Sequence, residues 1–389
     1  MKTFPATDTD QVTLANWRTA PFNRWAFRNV RNLVPTAAIT RGCRVRELPR
    51  RARPLHGFSF VDRSSQTHDL DQVLGANHTD AFLVLHRGAI VDERYFGGMR
   101  AADPHILMSV SKSITGALSG IARDRGCLNP DEFVRHYIPE VADSTYDDAR
   151  VRDLLDMRLA VDFEEDYLAT EGVMIAYRQA TGWNPVGKAE PASDLRSFLC
   201  TLKSESKHGG KFRYVSPNTD LLGWLLERVG ERPLAEQLSR DLWQPLGAEF
   251  DAYITVDRLG APRAAGGICM TQRDLARVGL MMLEHGSGLD DLILDSEWVA
   301  ETQHGGDLDA WREGDFATMI PDGAYANKWY QMRNDLGAFC GLGIHGQFVY
   351  VAPATSTVIT RFASQPAPFE SSQFELMLDM FDAIARVMD

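Results

Sequence analysis

Between Asp80 and Phe96 the chain reads Ala-Phe-Leu-Val-Leu-His, then Arg87-Gly88, then Ala-Ile-Val-Asp-Glu-Arg-Tyr-Phe. Two apolar, β-branched runs around a Gly-containing turn predict a β-hairpin. Near the other end, Phe348 to Ala352 and Thr357 to Ala363 give two more β-rich runs on either side of Pro353-Ala354-Thr355. After them Phe374, Met377, Leu378, Phe381 and Ile384 recur at helical spacing, which predicts an amphipathic helix. One α/β layer is therefore expected to draw on both ends of the chain.

Between these ends the pattern turns helical, over Val110 to Arg123, Val151 to Met157, Ser193 to Leu202, Asp220 to Val229 and Leu234 to Leu242. A further helix is expected after Thr271, whose spacing to Asp274 fits a capping box. The predicted fold is α/β plus all-α: an antiparallel sheet flanked by helices, with a helical insertion. Its expected parts are residues 1–115 with an N-terminal extension, a mainly helical part 116–258, and the returning α/β part 259–389. Neither repeats nor low-complexity tracts interrupt it.

Composition narrows the class without naming it. The 389 residues are 44% hydrophobic and 24% charged, ordinary for a globular chain. A formal net charge of −12 disfavours nucleic acid or an anionic membrane as main partner, because both call for clustered Lys and Arg. The basic run Arg41 to Arg53 reads as a solvated face. Five scattered cysteines form no Cys-x-x-Cys pair, so they read as reduced core residues of a cytoplasmic protein rather than a disulfide or zinc framework. The first thirty residues lack a signal-peptide apolar core, and no run of about 18 apolar residues predicts a membrane span.

The candidate chemistry begins at Met108-Ser109-Val110-Ser111-Lys112-Ser113. Spacing of three at the start of a helix puts Ser109 and Lys112 on one face, where a lysine amine reaches the serine hydroxyl. The helix start adds N–H donors and a favourable field for an oxyanion. A solvated lysine titrates at about 10.4 and accepts a proton at neutral pH only where burial or positive neighbours lower that value. Alone, the tetrapeptide fits better an N-cap serine followed by a solvated lysine, and company at the right distances is what shifts the reading. About a hundred residues later comes Lys211-Phe212-Arg213-Tyr214-Val215-Ser216-Pro217-Asn218, where Tyr214 and Ser216, two apart on an extended segment, are expected to face one pocket. The alternative for Tyr214 is a core aromatic whose hydroxyl meets a carbonyl. Finally Gly341-Leu342-Gly343-Ile344-His345-Gly346-Gln347 permits close backbone approach, with the Ile344 N–H as a second oxyanion donor, or is simply a turn into the strand.

These three segments, in this order and layout, resemble the three motifs of the serine β-lactamase, DD-peptidase and family VIII esterase superfamily, Ser-x-x-Lys, Tyr-x-Asn and Lys-Thr-Gly. Within it the chain is most similar to the 6-aminohexanoate-dimer (nylon-oligomer) hydrolases, through Asn23 to Phe27, Thr79 to Leu85, Met108 to Ser113, Ser216 to Asp220, Arg273 to Gly279 and Gly343 to Gln347. The resemblance implies a β-lactamase-like fold and a serine hydrolase that needs no metal or organic cofactor. It makes Ser109 the nucleophile, Lys112 its base partner and Tyr214 the residue that passes a proton to the leaving group. The N–H groups of Ser109 and Ile344 become the oxyanion hole. Tyr167 and Trp183 match substrate-side aromatics, and Ser216, Arg178 and His345 join them as expected substrate-binding positions. Arg178 falls close to where members active on the linear dimer carry an acid suited to its ammonium.

Two departures bear on substrate. Ser216 stands where Asn is usual, and Gly341-Leu342-Gly343 replaces Lys-Thr-Gly, so the cation that would meet a penicillin carboxylate is missing. The expected substrate is a small amide or ester, with a carboxylesterase of little amidase activity as the nearest alternative and a non-turnover penicillin-binding protein as the other. A homodimer is compatible with the chain. The ten histidines include no His-Glu-x-x-His, and no Gly-x-Ser-x-Gly elbow appears, which disfavours a metallohydrolase and an α/β-hydrolase.

Overall fold

The computed structural model describes residues 10–187, 193–204 and 206–389. The expected hairpin forms as the strands Thr79–His86 and Ala89–Tyr95. Thr79–His86 then pairs antiparallel with Thr357–Ala363 from the far end of the chain. The sheet continues through Gln347–Ala352, Phe339–Gly343, Trp329–Gln331 and Ala324–Ala326, seven strands in all.

Both faces of this sheet are covered, which is why Thr79–His86 is apolar almost without alternation. Ala81, Leu83 and Leu85 enter one core with Leu275, Val278 and Met282 of the helix Gln272–Leu283 and with Ile114 of the helix Val110–Asp124. Phe82 and Val84 point the other way, into a second core with Phe374, Met377, Phe381 and Ile384 of the C-terminal helix Ser371–Val387. Phe348 joins them, its ring centroid 5.3 Å from Phe374 and 5.2 Å from Phe381.

The middle of the chain is helical, with Pro217–Gly230 as its longest helix there after Val110–Asp124, but Ala252–Thr255 at its end is a strand. That strand belongs to a second sheet, in the order Thr36–Ile39, Ala252–Thr255, Ile268–Met270, His105–Ile106, which the hydrophobic pattern does not announce. Runs of two to four residues are too short for period-two alternation to show.

Other expectations are corrected in detail. Only Cys269 and Cys340 are buried, Cys43 and Cys127 are exposed, and all five are free thiols. Arg44, Arg46 and Arg50 of the basic run pair with Asp290, Glu284 and Glu93, a salt-bridged face. The Thr271 hydroxyl accepts from the Asp274 N–H as expected of a cap, while the Asp274 carboxylate accepts from the N–H groups of Glu249 and Phe250. No helix among the described residues is long and apolar enough to cross a membrane.

Candidate active site

The second sheet holds the turn that carries Ser109. After His105–Ile106, the Leu107 N–H donates to Ile268 O at 2.9 Å, and the Ser111 hydroxyl accepts from the Ile268 N–H at 3.1 Å. Between them Met108 takes a left-handed conformation with φ +46°. Such a conformation costs a non-glycine side chain energy and persists only where the surroundings impose it. Ser109 is the N-cap of Val110–Asp124 but makes no side-chain capping bond, so its hydroxyl is free for other partners.

That partner is Lys112. Its Nζ lies 2.9 Å from Ser109 Oγ, donates to Ala265 O at 2.8 Å, and sits 4.8 Å from the centroid of the Tyr214 ring. Burial, opposed by the Glu165 carboxylate, helped by Arg263 and opposed again by Asp220, brings the amine down to about 7. An amine with a pKa near neutrality holds an available lone pair at pH 7, which an ordinary lysine does not. Tyr214 is buried, and burial first, then the field of Glu165, raises its phenol above the ordinary value. Hydrogen bonds with Ser109 and Tyr330 act in the opposite sense. The group therefore stays a neutral O–H, able to relay a proton but unsuited to act as a tyrosinate base.

The strand Phe339–Gly343 closes the site from the other side. A Cβ at Gly343 would stand 2.7 Å from Leu107 O and 3.2 Å from the Ser109 N, so only glycine lets this strand end lie against the serine turn. Ile344 follows directly. Among the described residues, neither the Ser109 nor the Ile344 N–H donates to another backbone carbonyl. Two N–H donors without backbone acceptors, bordering one cleft, can receive an oxyanion.

The family now becomes legible. The beta-lactamase family matches residues 70–380, which span the serine turn, the Tyr214 segment and the Gly343 strand. The chain belongs to the beta-lactamase family. Across almost its whole length it is also similar to a 6-aminohexanoate-dimer hydrolase from Paenarthrobacter ureafaciens, 37% identical over 388 residues, 99% of this chain and 97% of that one. A solved Bacillus anthracis structure, provisionally described as a 6-aminohexanoate-dimer hydrolase, superposes with a TM-score of 0.90 at 26% identity over 98% of each chain. The fold alone is shared with a family VIII carboxylesterase, at a TM-score of 0.58 and 14% identity over 80% of this chain and 96% of that one.

Around Ser109 this family member has two lobes. One, of about 720 Å³, is bordered by Tyr214, Tyr330, Phe316 and Phe369 and is acid-rich, with Asp162, Glu164, Glu165, Asp166 and Asp315 against Arg213. The other, of about 480 Å³, is bordered by Trp183, Tyr167, Ser216, His345 and Ile344 together with Arg18, Arg178 and Arg263. Ser109, Glu165, Tyr167 and Ile344 border both.

The structure thus brings Tyr167, Trp183, Arg178, Ser216 and His345 to one lobe, and Tyr214 to the other. The expected common facing of Tyr214 and Ser216 does not hold. Ser216 is already helical, with φ −60° and ψ −40°, as N-cap of Pro217–Gly230, so the two-residue alternation of an extended chain breaks there. Its hydroxyl donates to Glu165 Oε1 at 2.5 Å and its N–H to Oε2 at 2.8 Å. Trp183 donates from Nε1 to Thr255 Oγ1 at 3.1 Å. His345 is buried, which pushes its imidazole down to about 4, and its neutral Nδ1–H donates to Gln365 O at 2.7 Å. Arg178 is buried, and the stretch around it is the helix Val173–Ala180.

Four contributors escaped the sequence. Glu165 is held by Ser216 and faces Lys112 electrostatically. Asp220 and Arg263 form a buried ion pair beside the lysine, with the Tyr177 hydroxyl donating to Asp220 at 2.6 Å. Arg18 arrives from the N-terminal segment, anchored by Trp17, whose ring centroid lies 5.1 Å from Trp183 and whose Nε1 donates to Trp183 O at 3.0 Å. Glu165 and Asp220 had a signal, Glu165 lying two residues before Tyr167 and Asp220 closing the stretch that begins at Ser216.

Proposed function

We propose that the protein hydrolyses small linear amides or esters through an acyl-enzyme on Ser109, in the manner of the 6-aminohexanoate-dimer hydrolases it is similar to. The observation that carries this reading is the 2.9 Å approach of a buried, near-neutral Lys112 amine to Ser109 Oγ. Ser109 Oγ attacks the carbonyl carbon while its proton passes to the Lys112 lone pair. The carbonyl oxygen becomes an oxyanion facing the N–H groups of Ser109 and Ile344. On collapse, the C–N or C–O bond breaks, and Tyr214 hands its proton to the departing nitrogen or oxygen, recovering one from Lys112. A water then gives its proton to the same base, attacks the acyl carbon and frees the acid. No step calls on a metal or organic cofactor.

The Tyr214 role has its own signature. Tyr214→Phe should lower kcat on amides about a hundredfold and on nitrophenyl esters far less, because an amine must be protonated to leave and nitrophenolate need not be. Equal losses on the two, in steady-state kinetics, would reduce Tyr214 to a positioning residue.

The pH profile tests Lys112. Its neutral form is the active one, so kcat/KM on a neutral ester should fall with unit slope as pH drops below about 7. Glu165→Gln removes a carboxylate that favours the ammonium, so this limb should move to lower pH. A limb that stays in place, or moves upward, would contradict the assignment.

An esterase with little amidase activity is the second reading, supported by the shared carboxylesterase fold. Paired kinetics on an amide and an ester of one acyl group separate the two.

A further inference from the structure

The two lobes beside Ser109 differ in sign, and that difference bears on which end of a substrate goes where; the proposal below rests on the acyl-enzyme reading above. Arg18 and Arg178 form no ion pair among the described residues. Arg178 spends its two terminal nitrogens on the carbonyls of Tyr167 at 2.8 Å and Ala169 at 3.3 Å, while its buried Nε has no acceptor. Arg18 donates to Asn184 and lies over the rings of Trp17 and Trp183, at 5.4 and 5.9 Å from their centroids. Arg263, the third cation, is already matched by Asp220, although its Nε too is buried without an acceptor. Among the described residues Glu165 is the one carboxylate bordering this lobe, and both its oxygens are engaged by Ser216. The guanidinium of Arg18 is destabilised by burial and by Arg178 and Arg263, down to about 9. Glu165 and Asp166 favour the Arg178 cation from a distance, but neither Arg178 nor Arg18 has a carboxylate in ion-pair contact among the described residues, which leaves room for the anion of a ligand.

Which part of the substrate enters follows from Tyr214. It borders the acid-rich lobe and not the arginine lobe, so the leaving group it protonates departs through the acid-rich side. The acyl chain then extends past Ser216 and Ile344 toward Arg18 and Arg178.

We propose that the arginine lobe is a carboxylate subsite for the far end of the acyl group, so that the preferred substrates are half-esters or half-amides of linear dicarboxylic acids. An acyl chain ending in an ammonium meets Arg18 and Arg178, and is disfavoured.

The test uses the full chain and three nitrophenyl esters matched in length: the monoester of adipic acid, the hexanoate, and the 6-aminohexanoate. The glutarate and suberate monoesters complete the series in case the best length differs. At the best length, kcat/KM should be at least about tenfold higher for the anionic acyl group than for the neutral one, and lowest for the cationic one, with the ratio shrinking at high salt. Arg18→Gln, at a half-buried position whose side-chain hydrogen bond among the described residues goes to the Asn184 side chain and to no backbone, should collapse the anionic-to-neutral ratio toward one, and Arg18→Lys should keep most of it. Ser109-dependent hydrolysis without this order, or a ratio indifferent to Arg18→Gln, overturns the subsite and leaves the hydrolase reading standing. No Ser109-dependent hydrolysis of any ester overturns both.

Discussion

Ser109→Ala is expected to abolish turnover of every amide and ester the protein hydrolyses, lowering kcat by at least ~10⁴-fold while leaving the fold in place. The covalent path needs the attacking oxygen, and removing a nucleophile that works with its base as a unit costs nearly as much as removing both. Stability should hardly change. Ser109 is an N-cap in position only; its side chain makes no capping bond, so the loss should stay below the ~1 kcal/mol of a functioning cap. Thermal unfolding beside steady-state kinetics checks both halves. A folded variant that still hydrolyses substrate would move the nucleophile elsewhere.

Lys112→Met is the second large effect. Methionine nearly matches the volume and removes the amine, so about 10²–10⁴-fold should be lost from kcat on esters as well as amides, since both need the serine deprotonated. The sign on stability is opposite to the usual core substitution. The amine is buried against Ala265 O at 2.8 Å, and its lowered pKa means folding strips protons from the unfolded chain between about 7 and the ordinary lysine value. In that window the native lysine costs stability, the cost growing as pH falls, so the Met variant should unfold at an equal or higher temperature near pH 7. A variant that is both inactive and markedly less stable would mean that the lysine is a structural pin.

How much of this was legible depended on how long each signal runs. The hairpin Thr79–His86 and Ala89–Tyr95, the late strands and the C-terminal helix were readable because each presents several apolar residues to a core at a regular period. The sheet containing His105–Ile106 was not, since two to four residues carry no period. That sheet is what holds Met108 in its left-handed turn and aims Ser109, so the motif was visible while its support was hidden. Ser216 breaks the alternation of the extended segment because it is already the start of a helix. Arg18 was invisible for a different reason. Its segment reaches the site through long-range contacts of Trp17 with Trp183 and of Arg18 with Asn184, and a lone arginine eighteen residues into a chain has no local pattern tying it to a serine ninety residues later. Arg178 was read from resemblance as a charge near the substrate; the structure adds that it is buried, held by carbonyls and joined by Arg18.

The central claim, a covalent acyl-enzyme on Ser109, is tested most directly by trapping it. The full chain is mixed with a nitrophenyl ester, quenched in acid within the first turnovers, and its intact mass and peptides are measured. The account predicts a mass gain equal to the acyl group, on the peptide containing Ser109, absent from Ser109→Ala. Hydrolysis that proceeds with no adduct at any quench time, or an adduct on another residue, would contradict it.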